Sequence, residues 1–357
     1  MMNKIEIIDS GYVSRDDAAF PTLAILNNGE IVCAYTAKGK GPDALGGTDW
    51  SKSSDQGASW TYGGVILSRK EVPVSVNSLR LSITSDGTLL AYGSRDKIKG
   101  KGDSRNFGED TNEPVLCRSR DDGVTWSEPE ILPNHLSRVY EISNPIIDAG
   151  NNIWLAPAAT LSDGDKLGER VVVFRSEDKG KSWPGYSTVF YDPEGKKGFF
   201  EQKIMNLGQG RLFAVAWTVI MGDYRDLENH YSFSDDFGLT WLPAKPIGIK
   251  GQTLSPLLIG ENRFLFLSNR RYGNQGVVVF FARYHHGDWI IEGDSILWDA
   301  QSDRSTESEK TKGIEAFDDF AFGLPSAIQL EGNLFLSVHW CREDGVFGIR
   351  WTRFKEV

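Results

Sequence analysis

An eight-residue pattern, Ser-x-Asp-x-Gly-x-x-Trp, occurs four times in this chain and constrains its fold more than any other feature. We call each copy an octapeptide; the four run over residues 53–60, 119–126, 176–183 and 234–241. Their tryptophans are 66, 57 and 58 residues apart. A repeat of this period indicates one supersecondary unit that is copied several times within a single architecture.

The chemistry of the octapeptide is typical of a tight turn between two strands. An Asp side chain can accept hydrogen bonds from the amides of its own turn, and Gly adopts a positive φ without steric cost. The Trp that follows has a large apolar face that can cover the turn. We therefore expect each octapeptide to connect two antiparallel strands.

A second repeat consists of an apolar run, a turn containing Gly, and another apolar run. Its six copies cover residues 21–35, 79–93, 144–158, 203–217, 255–268 and 325–340. Alternating apolar residues on both sides of a Gly turn predict a β-hairpin. An octapeptide follows each of the first four hairpins, and the fifth is followed by a remnant that keeps Gly287 and Trp289.

Six hairpins with a second hairpin after most of them predict an all-β fold, a six-bladed β-propeller of four-stranded antiparallel blades. The last segment, 347–354, has no room for an octapeptide, so we expect it to pair with a strand from the N-terminus. The same pattern along the whole chain predicts a single propeller domain over residues 1–357.

The charge and hydropathy of the chain restrict the classes of partner and the compartments that it fits. The net charge of −10 argues against nucleic acid or an anionic membrane as the main partner. No segment approaches the ~20 apolar residues of a membrane span, and the N-terminus has no signal-peptide pattern. These features predict a soluble protein, cytoplasmic as the sequence stands, or secreted or periplasmic if a signal has been removed.

No dense metal-ligand pattern is present, and no cofactor is expected. The oligomeric state is not indicated.

The octapeptide resembles the Asp-box (BNR) repeat of the sialidase, or neuraminidase, superfamily, and this resemblance covers nearly the whole chain. In a propeller the octapeptides and the first-hairpin turns share one face. The entries to the first strands and the loops joining second to third strands lie on the opposite face, close to the axis. We therefore expect any functional site, and its carbohydrate ligand, on the face opposite the octapeptides.

Several residues on that face are candidates for chemistry. Glu201 lies at the mouth of an apolar strand, where a carboxylate is costly unless it is paired or functional. Arg270, Arg271 and Tyr272 are suited to binding a carboxylate or stacking on a sugar ring. His339, beside Trp340, is either an acid/base group or a core histidine with its hydrogen bonds satisfied.

Sialidases use three arginines on the substrate carboxylate, a Tyr nucleophile helped by a Glu, and an Asp acid/base. The resemblance places the Glu at Glu201, one arginine at Arg270 or Arg271, and the Asp at Asp43 or Asp49. The first arginine is replaced within 19–21, which reads Ala-Phe-Pro, and the second falls on Trp217. The segment expected to carry the Tyr, 321–327, contains none.

These departures favour a glycoside hydrolase that acts on a sugar other than sialic acid. Glu201 would be nucleophile or general base, and Asp43 or Asp49 the general acid. Arg80 and Arg271 would hold a substrate anion or hydroxyls, with Trp217 or Tyr272 as ring platforms.

Arabinanases with two catalytic glutamates share this fold, and Glu141 would be the partner of Glu201 in such a mechanism. Two alternatives remain: a non-catalytic glycan-binding propeller, and a true exo-α-sialidase with an atypical site.

Overall fold

The computed structural model describes residues 5–38, 46–98, 111–161, 167–300 and 321–357. Six antiparallel sheets of four or five strands form the blades of a six-bladed propeller, which confirms the predicted fold class. The strands alternate with turns because Gly or polar residues interrupt the apolar runs, and most of the strands are 7–12 residues long.

The first strand, β1 (Ile5–Ser14), belongs to the last blade. Blade one contains β2 (Ala19–Ile25), β3 (Ile31–Ala37), β4 (Gly47–Ser53) and β5 (Thr61–Leu67). Blade two contains β6 (Lys70–Glu71), β7 (Val74–Ile83), β8 (Leu89–Lys97), β9 (Thr111–Ser119) and β10 (Glu130–Ile131). Blade three contains β11 (Val139–Glu141), β12 (Ile147–Gly150), β13 (Ile153–Leu161), β14 (Arg170–Ser176) and β15 (Gly185–Tyr191).

Blade four contains β16 (Lys197–Gly208), β17 (Arg211–Ile220), β18 (Glu228–Ser234) and β19 (Lys245–Lys250). Blade five contains β20 (Gln252–Gly260), β21 (Arg263–Arg270), β22 (Gly276–His285) and β23 (Asp288–Asp299). Blade six contains β24 (Phe322–Gln329), β25 (Leu334–Glu343) and β26 (Val346–Glu356) together with β1.

The ring is closed by pairing between the two ends of the chain. β1 runs antiparallel to β26, with Ile7 opposite Phe354 and Gly11 opposite Trp351. An ion pair between Asp9 and Arg353 reinforces this pairing. The expected pairing of the last segment with an N-terminal strand is thereby confirmed, and blade six holds both termini in one sheet.

All four octapeptides form the same hydrogen-bonded turn. In the third, Ser176 Oγ donates to Asp178 Oδ1 at 2.8 Å and accepts from the Gly180 amide at 2.7 Å. Asp178 also accepts from the amide and hydroxyl of Ser182, at 2.9 and 2.6 Å. Residue 59, 125, 182 or 240 plays this last role in each copy and is always Ser or Thr.

The core lies between blades rather than inside them. One apolar cluster joins blades three and four through Val171, Phe190, Phe199 and Leu212, and equivalent clusters occupy the other blade interfaces described. Each sheet therefore buries both of its faces, which explains why the inner strands are apolar almost throughout.

Inner strands of neighbouring blades are also joined by side-chain hydrogen bonds around the axis. Thr22 of blade one accepts from the amide of Leu81 in blade two at 2.9 Å, and Ser255 of blade five donates to the carbonyl of Pro325 in blade six at 2.5 Å. These bonds surround an axial cavity of about 140 Å³. No helix in the described ranges has the length and apolar character required to cross a membrane.

Candidate active site

Three first strands carry the same bulge where they approach the axis. In each, two residues of the inner strand lie opposite one residue of the second strand. The first bulged residue has a positive φ: Phe20 at 56°, Glu201 at 44° and Leu324 at 42°. Such a conformation costs of order 1–3 kcal/mol for a non-glycine residue and persists only where surrounding structure holds it. The bulge in blade four re-aims Glu201.

Glu201 and Glu141 are in direct contact across the boundary between blades three and four. The backbone amide of Glu201 donates to Glu141 Oε2 at 3.1 Å. Glu141 ends β11, and its position is fixed by pairing with Ala159 of β13. Both glutamates lie deep among protein atoms but keep part of their surface open to solvent.

A set of bonds below the two glutamates fixes their relative position. Lys203 Nζ donates to the carbonyl of Ser143 at 2.5 Å, and the amide of Ile204 donates to Asn144 Oδ1 at 3.4 Å. Lys203, Ser143 and Asn144 also line the axial cavity. We call these contacts the seam. It places the ammonium of Lys203 directly beneath the glutamate pair.

Two arginines complete the cluster. Arg80 of β7 is 4% exposed; its Nη1 donates to Ser78 Oγ at 2.8 Å, and its guanidinium lies 5.3 Å from the ring centre of Phe20. Arg271 follows β21, donates to the carbonyl of Phe322, and lies 4.6 Å from the ring centre of Phe322. Both cations are thus held by carbonyl, hydroxyl and ring contacts rather than by solvent.

The charges of the cluster interact strongly because they are desolvated. Burial raises the pKa of Glu201 to about 7; the neighbouring Glu141 adds to this rise, while Lys203, Arg271 and Arg80 oppose it. Burial also raises the pKa of Glu141, opposed mainly by Lys203. Burial lowers the pKa of Lys203 to about 8 and that of Arg271 to about 9. Perturbed groups that converge in one depression are typical of functional sites.

A further carboxylate, Asp226, also interacts electrostatically with Arg271. The indole Nε1 of Trp217 donates to Asp226 Oδ1 at 2.8 Å. Burial raises the pKa of Asp226, and the hydrogen bond from Trp217 and the charges of Lys250 and Arg271 oppose the rise. Arg271 therefore interacts electrostatically with both Glu201 and Asp226.

The structure assembles four of the predicted site residues: Glu201, Glu141, Arg80 and Arg271. Of the two arginine alternatives, Arg271 belongs to the cluster, because Arg270 forms an ion pair with Asp294 at 3.3 Å and donates to the carbonyl of Asn274. Tyr272 is half-buried and donates its hydroxyl to the carbonyl of Lys250 at 2.6 Å.

Three other predicted residues are placed differently from the expectation. Asp49 is buried and accepts from the Tyr62 hydroxyl at 3.1 Å; its charged neighbours are Lys38 and Asp16 rather than the glutamate pair. Trp217 is 3% exposed and packs against Phe200, so it offers no open face to a sugar ring.

His339 is fully buried against Trp298, and burial lowers its pKa to about 3. A histidine that stays neutral and covered does not fit the acid/base or substrate-binding role, and the alternative of a core residue fits better. Among the described residues, however, neither ring nitrogen has a hydrogen-bond partner, whereas that alternative supposed satisfied hydrogen bonds. Asp43 lies outside the described residues.

Sequence reasoning missed Lys203 and Asp226. The available signal for Lys203 was a single cation at the start of a run that is otherwise apolar on its buried face. The signal for Asp226 was weaker, since it follows two other charged residues in a polar loop, 223–226. Among the residues that the structure describes, no group of three or more His, Cys, Asp or Glu side chains is arranged to hold a metal ion.

Comparison with known proteins identifies the architecture. No protein-family model matches the sequence, and neither does the sequence of any curated protein. A protein of unknown function from Dyadobacter fermentans superposes with a TM-score of 0.76 at 20% identity, covering 99% of both chains. The NanB sialidase of Streptococcus pneumoniae superposes with a TM-score of 0.65 at 12% identity, over 99% of this chain and 70% of that enzyme.

The protein has the six-bladed propeller fold of the sialidases. The α-L-arabinanase of Penicillium chrysogenum, solved with arabinobiose, shares it with a TM-score of 0.64 at 14% identity over 99% and 98% of the two chains. At these identities the likeness establishes the fold alone.

Proposed function

We propose that this protein is a glycoside hydrolase whose two catalytic carboxylates are Glu201 and Glu141. The observation that carries the proposal is the contact between these glutamates, 3.1 Å from the Glu201 amide to Glu141 Oε2, with three buried cations around them. Glycoside hydrolysis commonly needs one carboxyl group that donates a proton and a second that stays ionised. An adjacent pair in a desolvated depression supplies both.

The electrostatics assign the two roles. Two neighbouring carboxylates cannot both ionise easily, so one retains a proton. Burial and the neighbouring Glu141 raise the pKa of Glu201 to about 7, so a large fraction of the molecules keep this proton up to neutrality and can donate it to the oxygen of the leaving group. Glu141 accepts the Glu201 amide and lies above Lys203, which favours its ionised form. The raised pKa thus favours the proton-donor role for Glu201 over the role of nucleophile or base expected from the sequence.

Bond making and breaking then follow a simple order. As the glycosidic C–O bond breaks, the leaving oxygen takes the proton of Glu201. Glu141 either attacks the anomeric carbon, and water then hydrolyses the resulting glycosyl-enzyme as Glu201 takes the proton of that water, or it removes a proton from a water that attacks directly. Separations of about 5 Å and about 6.5–9.5 Å between the carboxyl groups correspond to retention and inversion, and proton NMR of the first anomer released distinguishes them.

The structural neighbours support this class of reaction without specifying the substrate. The NanB protein is a sialidase and the Penicillium protein an arabinanase, and both are glycosidases by name. The assignment follows the alternative pairing of Glu201 with Glu141 rather than the pairing with Asp43 or Asp49. The charged neighbours of Asp49 are Lys38 and Asp16, and Asp43 lies outside the described residues.

The test is hydrolysis of a panel of 4-nitrophenyl glycosides, arabino- and other plant oligosaccharides, and a fluorogenic sialoside. We expect turnover of at least one member and its loss in Glu201→Gln, with binding retained. Glu177→Gln is the matched control, because Glu177 lies in the third octapeptide, away from the glutamate pair, and forms its ion pair with Arg175. Binding without turnover throughout the panel would indicate a glycan-binding propeller, and rapid cleavage of the sialoside would indicate an atypical sialidase.

A further inference from the structure

The axial cavity is a feature of the structure that the proposed hydrolysis does not use. All six blades contribute to its lining, and its volume is about 140 Å³. A single buried water needs roughly 10–15 Å³ on the same measure, so the cavity has room for a small ion together with water. Among the lining residues that the structure describes, Lys203 is the one charged group.

Lys203 is a buried cation that forms no ion pair within the described part of the chain. It is 9% exposed, and its Nζ donates to a neutral acceptor, the carbonyl of Ser143, at 2.5 Å. An ammonium carries three N–H groups, so two of them remain for another acceptor. A buried charge is costly unless it is paired and hydrogen-bonded. An anion in the cavity would supply both the opposite charge and the missing acceptor.

The charges near Lys203 also favour an anion. Arg80, Glu201 and Glu141 are the charged groups that act on it. Because a large fraction of Glu201 keeps its proton up to neutrality, two cations face little more than one ionised carboxylate. Burial lowers the pKa of Lys203 to about 8, and the attraction of the two glutamates does not restore it. A negative charge beside the ammonium would therefore be stabilised.

Two hydroxyl groups of the lining are further donors. Thr22 and Ser326 both line the cavity. Thr22 Oγ1 accepts from the amide of Leu81 at 2.9 Å. Ser326 Oγ accepts from the amide of Leu23 at 3.4 Å. A hydroxyl that accepts a hydrogen bond can still donate its own hydrogen, and the described residues provide no acceptor for either one. Ammonium and hydroxyl hydrogens together suit an anion.

We infer that the axial cavity binds a small inorganic anion such as chloride, with the ammonium of Lys203 as its principal ligand. The hydroxyls of Thr22 and Ser326 donate to the anion directly or through water. The anion completes the seam, because it gives Lys203 a charge partner on the side of the cavity. This inference goes beyond the proposed hydrolase function and does not depend on it.

The test is thermal unfolding of the full chain at constant ionic strength, with sodium methanesulfonate exchanged stepwise for sodium chloride. Methanesulfonate has the same charge as chloride but is larger. We expect the melting temperature to rise by about 2 °C once chloride reaches roughly ten times its dissociation constant, because a ligand that binds the folded state stabilises it. Bromide should act in the same way. Equal melting temperatures in chloride and methanesulfonate would overturn the inference.

The decisive variant is Lys203→Met, which removes the ammonium and keeps a long unbranched side chain. The rise in melting temperature with chloride should be lost in this variant. Lys197→Met is the matched control, because Lys197 lies on the same strand, β16, outside the cavity lining, and it should keep the full rise. A rise that survives in Lys203→Met would show a general effect of the salt and would contradict the inference.

Diffraction provides a second test if Lys203→Met does not fold. Crystals of the unmodified protein soaked in sodium bromide give an anomalous signal at the bromine absorption edge. A bromide peak in contact with Lys203 Nζ supports the inference, and bromide at surface positions only, with water alone in the cavity, opposes it. Neither measurement requires turnover, so failure of the proposed hydrolase and failure of the anion site are distinguishable.

Discussion

Carboxylates on the two faces of this propeller respond to their surroundings in opposite ways. On the octapeptide face, Asp178 accepts from Ser182 and Ser176, and these hydrogen bonds lower its pKa to about 2. On the opposite face, burial and a neighbouring carboxylate raise the pKa of Glu201 to about 7. The first carboxylate lies at the surface within its own turn, and the second lies deep beside groups from other blades.

The difference separates structural from chemical use of the same functional group. An octapeptide Asp is satisfied by donors within four residues, so it holds a turn and has no reason to change its protonation near neutrality. Glu201 meets Glu141, Arg80, Lys203 and Arg271, which come from four blades, and its proton is held near physiological pH. Of the two carboxylates, Glu201 is the one whose pKa suits exchange of a proton with a ligand near neutrality.

The largest effect is expected for Glu141→Gln. The side chain keeps an oxygen that can accept from Glu201 but loses the charge, so turnover should fall by roughly 10²- to 10⁴-fold while the folded state is retained. Initial rates and thermal unfolding measure the two effects. Asp121→Asn on the octapeptide face should show unchanged turnover; an equal loss of turnover there would remove the distinction between the faces.

Ser176→Ala should have the opposite effect to Glu141→Gln, with a loss of stability and no loss of turnover. The substitution removes the acceptor of the buried Gly180 amide and one donor to Asp178, which costs about 1–3 kcal/mol of unfolding free energy. Turnover per folded molecule should not change. Urea denaturation measures the loss, and an unchanged midpoint would show that the octapeptide serves some purpose other than holding its turn.

Lys203→Met should move the pH dependence of activity. Removal of the cation takes away an influence that lowers the pKa of both glutamates, so both limbs of the kcat/KM profile should shift to higher pH. Lys203→Arg should restore the profile in part. Asn144→Ala breaks another seam contact without removing a charge, and a similar shift in that variant would indicate disruption of the seam rather than loss of charge.

The smallest effects are expected in how the stability of the folded state changes with pH. The lowered pKa of Asp55, about 2 against a usual 3.8, stabilises the fold above about pH 4 and is lost as the pH falls towards 2. The raised pKa of Glu201 acts in reverse, so stability falls as the pH rises from 4.5 towards 7. In Asp55→Asn, the melting temperature should depend less on pH only between about pH 4 and pH 2. In Glu201→Gln, it should depend less on pH only between about pH 4.5 and pH 7.

Much of the fold was predictable because its determinants are local. Each octapeptide is closed by bonds between residues two to four positions apart, and each first hairpin turns at a Gly or polar pair. Six hairpins with a fixed order leave few ways to bury both faces of every sheet, and a closed ring is one of them. Pairing of residues 5–14 with the last strand followed from the missing half of blade six.

For the candidate site, individual residues could be predicted from the sequence, but their contacts with one another could not. Glu201 and the pair Arg270 and Arg271 were conspicuous as charges beside apolar strands. Arg80 and Glu141 were named only as partners within the hydrolase hypothesis, and Lys203 and Asp226 looked like ordinary polar positions. Trp217 was expected as a platform and instead holds Asp226 in place. Asp49 was expected near Glu201 and instead bonds Tyr62.

The sequence by itself determined the repeating unit and its six copies, because short-range hydrogen bonds and apolar alternation depend on consecutive residues; that the site lies opposite the octapeptides stays a prediction. The tertiary structure decided which charges meet. Glu141 and Glu201 are 60 residues apart, and Arg80 and Arg271 are farther still; only closure of the ring brings them together. Their pKa values depend on that meeting and on burial, neither of which a linear pattern specifies.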